Sequence, residues 1–212
     1  MKIKLFLSSI SILTLMISSC ISPYYGTKYN YTYSLLSDTS NKIVLDTSVT
    51  MHLEDSSIFV DFTIGQKQIA FVMKNKSAYT IKINWDETLF IKFGKLGKVM
   101  HSGVKYTERN NTQPMSIIPS GTSLEDIIIP TENIYWRDGY YSQYGSSPGG
   151  WVERDLFPVN DLNKPEYKES ILSNKGIKFR VFMPILINGV QKEYNFNFKI
   201  INVAQVEVPD TN

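Results

Sequence analysis

Apolar and polar residues alternate from Ser57 to Phe93, and this alternation predicts four consecutive β-strands. A period of two places alternate side chains on one face of a sheet, a surface that β-branched and aromatic residues favour. Turn residues such as Gly65-Gln66 and Asp86-Glu87 separate the strands. We therefore expect an antiparallel meander with one buried face. The inward-facing residues predicted for it are Ile58, Val60, Phe62, Ile64, Ile69, Phe71, Met73, Tyr79, Ile81, Ile83, Trp85, Leu89, Ile91 and Phe93.

The same alternation returns near the C-terminus, where two apolar runs flank Asn188-Gly189. Asn-Gly is preferred in the type I′ turn of a β-hairpin, so we expect a hairpin there. Pro165 suits the first turn of one short helix over residues 165–173. Together these elements predict an all-β antiparallel sandwich of about eight to ten strands, with at most one short helix and one long aromatic loop. Weaker strands are expected over residues 42–53, 99–107, 115–118 and 124–129.

The N-terminus has the features of a secretory signal peptide: Lys2 and Lys4, then an apolar run from Leu5 to Ile17. The segment Ile17-Ser18-Ser19-Cys20 resembles the lipobox of bacterial lipoproteins. This resemblance implies that Cys20 is lipidated and becomes the mature N-terminus. Cys20 is the single cysteine of the chain, and lipidation accounts for an unpaired thiol in an oxidising compartment. The alternative is an ordinary signal peptide with an incidental cysteine.

The predicted organisation is a signal peptide over residues 1–19, a lipid-anchored tether over 20–40 and a β-sandwich domain over 41–212. The sandwich domain carries a loop insertion at 131–163. The residues after Cys20 include no Asp at the second mature position and no acidic run. Among lipoproteins, this favours the outer membrane of the bacterial cell envelope, facing the periplasm.

Two neighbouring segments resemble a pattern in immunoglobulin-like domains of bacterial lipoproteins. They are Phe71-Val72-Met73-Lys74-Asn75-Lys76-Ser77 and Ile81-Lys82-Ile83-Asn84-Trp85-Asp86. In those domains one strand ends in Asn-Lys-Ser/Thr and the next carries a Trp-Asp pair. The resemblance implies an immunoglobulin-like fold and brings no catalytic or ligand residues. Because Trp85 shares a face with Ile81 and Ile83, we expect it to be buried.

The charge of the mature chain is balanced. The full sequence has 22 basic and 20 acidic residues, and removal of Lys2 and Lys4 leaves 22 − 2 = 20 basic residues against 20 acidic ones. A nucleic-acid binder needs a basic face to neutralise phosphates, so neutrality argues against nucleic acid as a partner. After the signal peptide, no hydrophobic run is long enough to span a bilayer. The predicted contact with the membrane is therefore the N-terminal lipid.

The sequence supplies little for catalysis, and we expect no catalytic residue, no metal and no cofactor. His52 and His101 are the only histidines, and with Cys20 lipidated they are too few for a usual zinc site. No nucleophile-elbow motif is present, although a triad is recognised by geometry and stays open. We expect both histidines at the surface or in strands. Acidic pairs, expected to be solvated at turns, are Glu54-Asp55, Asp86-Glu87, Glu125-Asp126 and Glu153 with Asp155.

Residues 131–163 break the strand rhythm with large aromatic residues among Gly, Pro and Ser. Tyr and Trp give a large contact area at low entropy cost, and Gly and Ser let a loop adapt, a combination typical of binding loops. The alternative is that these rings pack back onto the sandwich as a cover. The candidate binding residues are Tyr135, Trp136, Tyr140, Tyr141, Tyr144 and Trp151.

These features predict a lipid-anchored envelope protein that acts by binding or assembly, with an envelope protein as partner. Two alternatives stay open. One is a carbohydrate-binding module whose aromatic rings stack on glycan. The other is a carbohydrate-active envelope hydrolase, which would need two carboxyl groups about 5 to 9 Å apart near the aromatic loop.

Overall fold

The computed structural model describes residues 26–36 and 51–206. The predicted signal peptide, Cys20 and most of the strand expected over 42–53 lie outside these residues. Within them the fold is all-β and sandwich-like, as predicted, with one short helix. The described residues form fifteen strands rather than the expected eight to ten, and four of the fifteen are short strands within the predicted aromatic loop.

The strands are β1 (Tyr29–Leu36), β2 (His52–Glu54), β3 (Ile58–Ile64), β4 (Ile69–Asn75), β5 (Ile81–Ile83), β6 (Leu89–Lys92), β7 (Lys95–Met100), β8 (Ser116–Ile118), β9 (Ser123–Pro130), β10 (Ile134–Arg137), β11 (Tyr140–Ser142), β12 (Gly145–Ser147), β13 (Gly150–Glu153), β14 (Lys178–Ile187) and β15 (Val190–Gln205). The helix α1 (Pro165–Leu172) confirms the helix prediction. Short 3-10 turns cover Tyr106–Glu108 and Thr131–Asn133.

Eleven strands form one large antiparallel sheet in the order β1-β15-β14-β6-β7-β9-β4-β3-β2, with β5 paired to β14 and β8 paired to β5. The sheet folds over into two layers and is nearly closed. Strand β7 joins the layers, because its first residues pair with β6 and its last two pair with β9. A strand that switches partners in this way makes the corner of a sandwich.

The predicted meander is wrong, although its four strands are present as β3 to β6. Strands β3 and β4 pair along seven residues, but β5 pairs with β14 and β8 instead of β4. The turn after Asn75 therefore carries the chain from one layer to the other. Hydrophobic burial drives this crossing, since Phe71 of β4 then faces Trp85 across the core at 6.2 Å between ring centroids.

Aromatic rings fill the space between the layers. Phe62 of β3 contacts Phe196 and Phe198 of β15 at 4.8 and 5.2 Å between centroids. Trp85 is 1% exposed, which confirms its predicted burial. The phase predicted for β6 is wrong, because Phe90 is buried while Leu89 and Ile91 are only half-buried. Tyr79 and Phe93, also expected inside, are exposed.

The sandwich begins within the predicted tether. Strand β1 pairs with β15 from Tyr29 to Leu36. The Thr27 N–H donates to Asp161 Oδ1 at 2.8 Å, and the Tyr29 N–H donates to the Val159 carbonyl at 2.9 Å. Buried Asp161 also accepts from the Tyr29 hydroxyl at 3.2 Å. Residues 27–36 are therefore fixed to the domain.

A polar clamp joins the two layers at one edge of the core. Asp55 lies between β2 and β3, and its Oδ2 accepts from Lys192 Nζ at 2.6 Å and from the Tyr194 hydroxyl at 2.9 Å. Its Oδ1 accepts from the N–H groups of Ser57 and Ile58 at 2.7 and 2.8 Å. Burial raises the pKa of Asp55, but these hydrogen bonds outweigh it and lower the pKa to about 2.

Helix α1 packs on the sandwich through Ile171, its one buried residue. In the described part of the chain, no helix is both long enough and apolar enough to cross a membrane.

Candidate functional site

The predicted aromatic loop is an ordered two-stage β-hairpin, which we call the aromatic ribbon (residues 134–153). Its base is the antiparallel pair β10–β13, in which Trp136 lies opposite Trp151. Its tip is the pair β11–β12, in which Tyr140 lies opposite Ser147. Cross-strand aromatic pairs stabilise antiparallel strands, which explains why this segment is not an irregular loop.

Two glycines make the neck between base and tip. A Cβ atom added at Gly139 would lie 2.7 Å from the backbone nitrogen of Gly149, and one at Gly149 would lie 3.1 Å from the Trp136 ring. The two backbones approach too closely for any larger residue at Gly139 without a shift. Gly139 and Gly149 therefore let the strands of the ribbon continue into its tip.

The base of the ribbon covers the outer face of β7 and β9. Ile134 forms a small buried cluster with Met100 and Ile129, and Trp151 packs at its margin. Each of the three buried residues is at most 3% exposed. Hydrophobic burial on this second face of the sheet holds the base in place.

Trp151 is held on three sides. The Arg109 guanidinium lies 4.7 Å from the centre of its indole ring, an arrangement that gives a cation–π interaction. The Tyr106 ring meets it edge-on at 6.5 Å, and Trp136 meets it edge-on at 5.7 Å. Arg109 is positioned in turn by donating to the Tyr106 carbonyl at 2.8 Å. Trp151 is therefore mainly a structural residue of the base.

A hydrogen bond locks the base to the segment after β7. The Tyr106 hydroxyl donates to the Glu153 carboxylate. This bond, with a smaller contribution from burial, raises the pKa of Tyr106 to about 12, so the phenol keeps its proton at neutral pH. Glu153 was expected at a solvated turn. It is instead half-buried in β13, because it satisfies this donor.

Aromatic rings are exposed at the tip and at Trp136, the residue of the base that adjoins the tip. Trp136 is 53% exposed, Tyr140 59%, Tyr141 87% and Tyr144 90%. The Trp136 indole N–H donates to Asp138 Oδ1 at 3.0 Å, which fixes that ring at the edge of the base. Rings that are this exposed contribute little to the free energy of folding, since most of their surface stays in water.

The six candidate binding residues therefore divide into two groups. Trp151 and Tyr135 are half-buried in the base, where the Arg154 guanidinium lies 4.4 Å from the Tyr135 ring centre. Trp136 and the three tyrosines of the tip face solvent. Sequence reasoning missed Tyr106 and Arg109, which orient the base. In the sequence these two residues are marked only by their spacing of three within a polar segment. Such a segment has no hydrophobic periodicity that would point to them.

His101 is not the surface or strand residue that we expected. It follows β7, and its ring stacks on Trp85 with 4.5 Å between centroids and an angle of 4°. Its Nδ1 lies 3.2 Å from Asp126 Oδ2, and Asp126 lies in β9 rather than in a turn. The exposed His52 of β2 stacks on Phe59 at 5.7 Å, as a surface strand residue.

The His101–Asp126 pair has the geometry of two members of a catalytic triad, but the third is missing. A triad needs a nucleophile hydrogen-bonded to the other imidazole nitrogen. Among the described residues, His101 Nε2 is buried and has no hydrogen-bond partner. Over residues 26–36 and 51–206, no group of three or more His, Cys, Asp and Glu side chains could hold a metal ion.

One cleft of the described residues is lined by side chains outside the ribbon. It has a volume of about 430 Å³ beside β1 and is lined by Tyr31, Tyr33, Gln66 and Phe157, among others. Burial raises the pKa of both tyrosines, so their phenols keep their protons at neutral pH. Among the described residues that line this cleft there is neither a carboxylate nor an imidazole.

The residues of the two resembling segments have structural roles. Asn75 is fully buried, and its amide donates to the carbonyls of Tyr79 and Ile118 at 2.7 and 2.9 Å. The Trp85 indole donates to Ser116 Oγ at 2.8 Å, and Asp86 accepts from the Gln113 N–H at 2.9 Å. These bonds fix the crossing between layers. No family model, no curated protein and no solved structure matches this chain.

Proposed function

We propose that this chain is a lipid-anchored protein of the bacterial envelope that binds an envelope protein through the tip of the aromatic ribbon. The observation that carries the proposal is the exposure of Trp136, Tyr140, Tyr141 and Tyr144 on an ordered support. Large rings that stay mostly in water contribute little to the free energy of folding, whereas burying that surface in a complex would contribute to the free energy of binding.

The rigid base supports a binding role for the tip. The Trp151 ring is fixed by Arg109 and Tyr106, and the Glu153 carboxylate by the Tyr106 hydroxyl. A surface that is ordered before binding loses less conformational entropy when it binds. Tyr, Ser and Gly at the tip give amphipathic contact area with adaptable hydrogen bonding, as in antibody paratopes.

A glycan is the second candidate ligand. Trp136 presents an exposed indole next to the Asp138 carboxylate, and a sugar ring could stack on the first while its hydroxyls donate to the second. The hydrolase alternative has less support, because the Glu153 carboxylate already accepts from Tyr106 and Asp138 already accepts from Trp136. We therefore place the envelope protein first and the glycan second.

The membrane address is part of the same proposal. Lipidation at Cys20 would attach the domain through a short connection, since Thr27 is already bonded to Asp161. The outer membrane, facing the periplasm, is the proposed location. The immunoglobulin-like class of sandwich is likewise proposed, and it is supported by two antiparallel layers with Trp85 buried between them.

Site-specific photo-crosslinking in intact cells tests the partner. A photoreactive residue replaces Tyr141 or Tyr144 in the full-length chain, and the crosslinked product is identified by mass spectrometry. We expect one envelope protein to be captured from both positions. The matched control is the same replacement at Tyr79, which is also exposed but lies in the turn between β4 and β5.

Capture of the same protein from Tyr79 would show that the product is not specific to the ribbon. If neither ribbon position captures a protein, the purified chain is applied to a glycan array. Binding that is lost in the Trp136→Ala variant would then favour the glycan. Absence of both interactions would contradict a binding function for the tip.

A further inference from the structure

The turn between β6 and β7 holds an exposed aromatic ring in an unfavourable backbone conformation. Phe93 has a φ of 53° and Gly94 a φ of 73°, and Phe93 is 58% exposed. Bulky residues avoid this left-handed region, whereas Asn and Gly enter it readily. The hairpin turn between β14 and β15 has the same conformation, with Asn188 at a φ of 51° and Gly189 at a φ of 77°. Phenylalanine is therefore a poor choice for the turn itself.

The surroundings of Phe93 are apolar and basic. We call Phe93, Lys95, Leu96 and Lys98 the basic tip; all four are exposed, Leu96 to 68%. Leu96 lies opposite half-buried Ile91 on the outer face of the sheet, and exposed Arg180 pairs with Ile91 from β14. Glu132 is an acidic group nearby, and its carboxyl carbon would lie 3.7 Å from a Cβ atom at Gly97.

The basic tip lies at the end of the sheet where the chain enters. Strand β1 is antiparallel to β15, β15 to β14, and β14 to β6, so β1 starts on the side of the sheet towards which β6 runs. The register through Phe179 and Phe198 places Lys92 level with Leu35, and β1 begins at Tyr29, six residues further in that direction (35 − 29 = 6). Side chains connect the two places directly. Lys92 Nζ donates to the Leu156 carbonyl at 2.8 Å and lies 5.1 Å from the Phe157 ring centre. The Phe157 ring in turn packs on Tyr31 of β1 at 5.6 Å.

The predicted lipid would hold this end of the sandwich close to a bilayer. Six Cα–Cα steps separate Cys20 from Gly26 (26 − 20 = 6). A fully extended chain spans at most about 3.5 Å for each step, so Gly26 stays within about 21 Å of the lipidated residue. Residues 27–36 are fixed to the domain. The opposite end of the sheet, with the Asn188-Gly189 turn, faces away.

We propose that the basic tip rests on the surface of an anionic phospholipid bilayer. Phe93 and Leu96 enter the interface between headgroups and acyl chains, and Lys95 and Lys98 lie among the lipid phosphates. Aromatic rings favour this interface, and each basic residue near an anionic surface adds to the attraction. The proposal rests on the lipid anchor of the proposed function and concerns a separate surface from the aromatic ribbon.

Fluorescence quenching by brominated lipids tests this contact. The full-length lipidated chain is purified from bacterial membranes and reconstituted into vesicles of phosphatidylcholine, with or without phosphatidylglycerol. The reporter is Phe93→Trp, and its matched control is Val190→Trp, an exposed position beside the turn at the opposite end of the sheet. Flotation of the vesicles measures anchoring independently.

In anionic vesicles we expect quenching of the fluorescence added by Phe93→Trp and none of that added by Val190→Trp. Replacing Lys95 by Gln should lower the equilibrium constant for contact between the basic tip and the bilayer about fivefold, because one basic residue contributes about 1 kcal/mol at an anionic surface. Equal quenching at both positions, absence of quenching of Phe93→Trp, or equal quenching of Phe93→Trp in neutral and anionic vesicles would overturn the proposal.

Two further outcomes separate the possible causes of failure. A chain that floats with vesicles without quenching at Phe93→Trp refutes the basic tip but keeps the anchor. A chain that does not float refutes the anchor and, with it, the basic tip. A thermal-unfolding scan of Phe93→Asn checks the premise. We expect a midpoint equal to or above that of the unmodified chain, and a lower midpoint would show that Phe93 serves the fold.

Discussion

Replacing Asp55 by Asn should weaken the clamp between the two layers. The pKa of Asp55 falls from 3.8 to about 2 in the folded chain. At 1.36 kcal/mol for each unit, a shift of about 1.8 units corresponds to about 2.4 kcal/mol. Lys192 is 45% exposed, and solvent screening reduces the value of its ion pair. We therefore expect Asp55→Asn to lower the free energy of unfolding by about 1 to 2 kcal/mol at pH 7.

The loss should depend on pH in a defined direction. A carboxylate whose pKa is lowered by folding stabilises the fold above its unfolded pKa, and this contribution is lost as pH falls through the folded pKa. The window for Asp55 therefore runs from about pH 4 down to about pH 2. Within it, the difference between the unmodified chain and Asp55→Asn should shrink towards zero.

Urea unfolding of both proteins at pH 7, 4, 3 and 2, followed by tryptophan fluorescence, measures this difference. Tyr194→Phe is the matched control, because it removes one neutral donor to the same oxygen. That variant should cost about 1 kcal/mol. A difference for Asp55→Asn that is below about 0.5 kcal/mol at pH 7, or is as large at pH 2 as at pH 7, would refute the clamp.

The remaining predictions concern the core, the ribbon and the anchor. Trp85→Ala should lower the free energy of unfolding by about 3 to 5 kcal/mol, and a measured loss under about 1 kcal/mol would contradict its buried position. Trp151→Ala should cost about 2 to 3 kcal/mol and Trp136→Ala under about 1 kcal/mol, so the reverse order in urea unfolding would refute the division of the ribbon's aromatic residues into a supporting group and an exposed group. A high-salt wash should release the Cys20→Ala variant from the membrane fraction, since salt screens the remaining contacts between lysines and lipid. Retention of the variant in the membrane fraction would argue against lipidation.

Local patterns were sufficient to predict the strands but not their partners. Alternation identified β3, β4 and β5, and Asn188-Gly189 identified the turn from β14 to β15. Alternation within one strand says nothing about which strand lies beside it, and so the meander was wrong. The phase of β6 failed because Leu89, Phe90 and Ile91 are all apolar, and only contact with Phe179 places Phe90 inside.

Amino-acid composition predicts where the candidate site lies, but only the structure shows which of its aromatic residues are supported and which are exposed. Aromatic residues among Gly and Ser marked the ribbon, but the sequence gives no sign that Arg109 would cover Trp151 while Tyr144 stays exposed. That division depends on contacts between segments that are distant in the sequence. Tyr106 and Glu153, for example, are more than forty residues apart. The basic tip was missed because Phe93 fits a strand pattern, and its exposure follows from a turn.

Chemical modification of tyrosines in intact envelopes tests the binding role of the ribbon most directly. The chain is treated with a tyrosine-specific reagent, first in purified form and then in its native membranes, and labelling is read for each residue by mass spectrometry. We expect Tyr141 and Tyr144, which are 87% and 90% exposed, to react fully in the purified chain and to be protected in the envelope. Tyr79 should react equally in both. Equal labelling of Tyr141 and Tyr144 in the two preparations would contradict a bound partner at the tip.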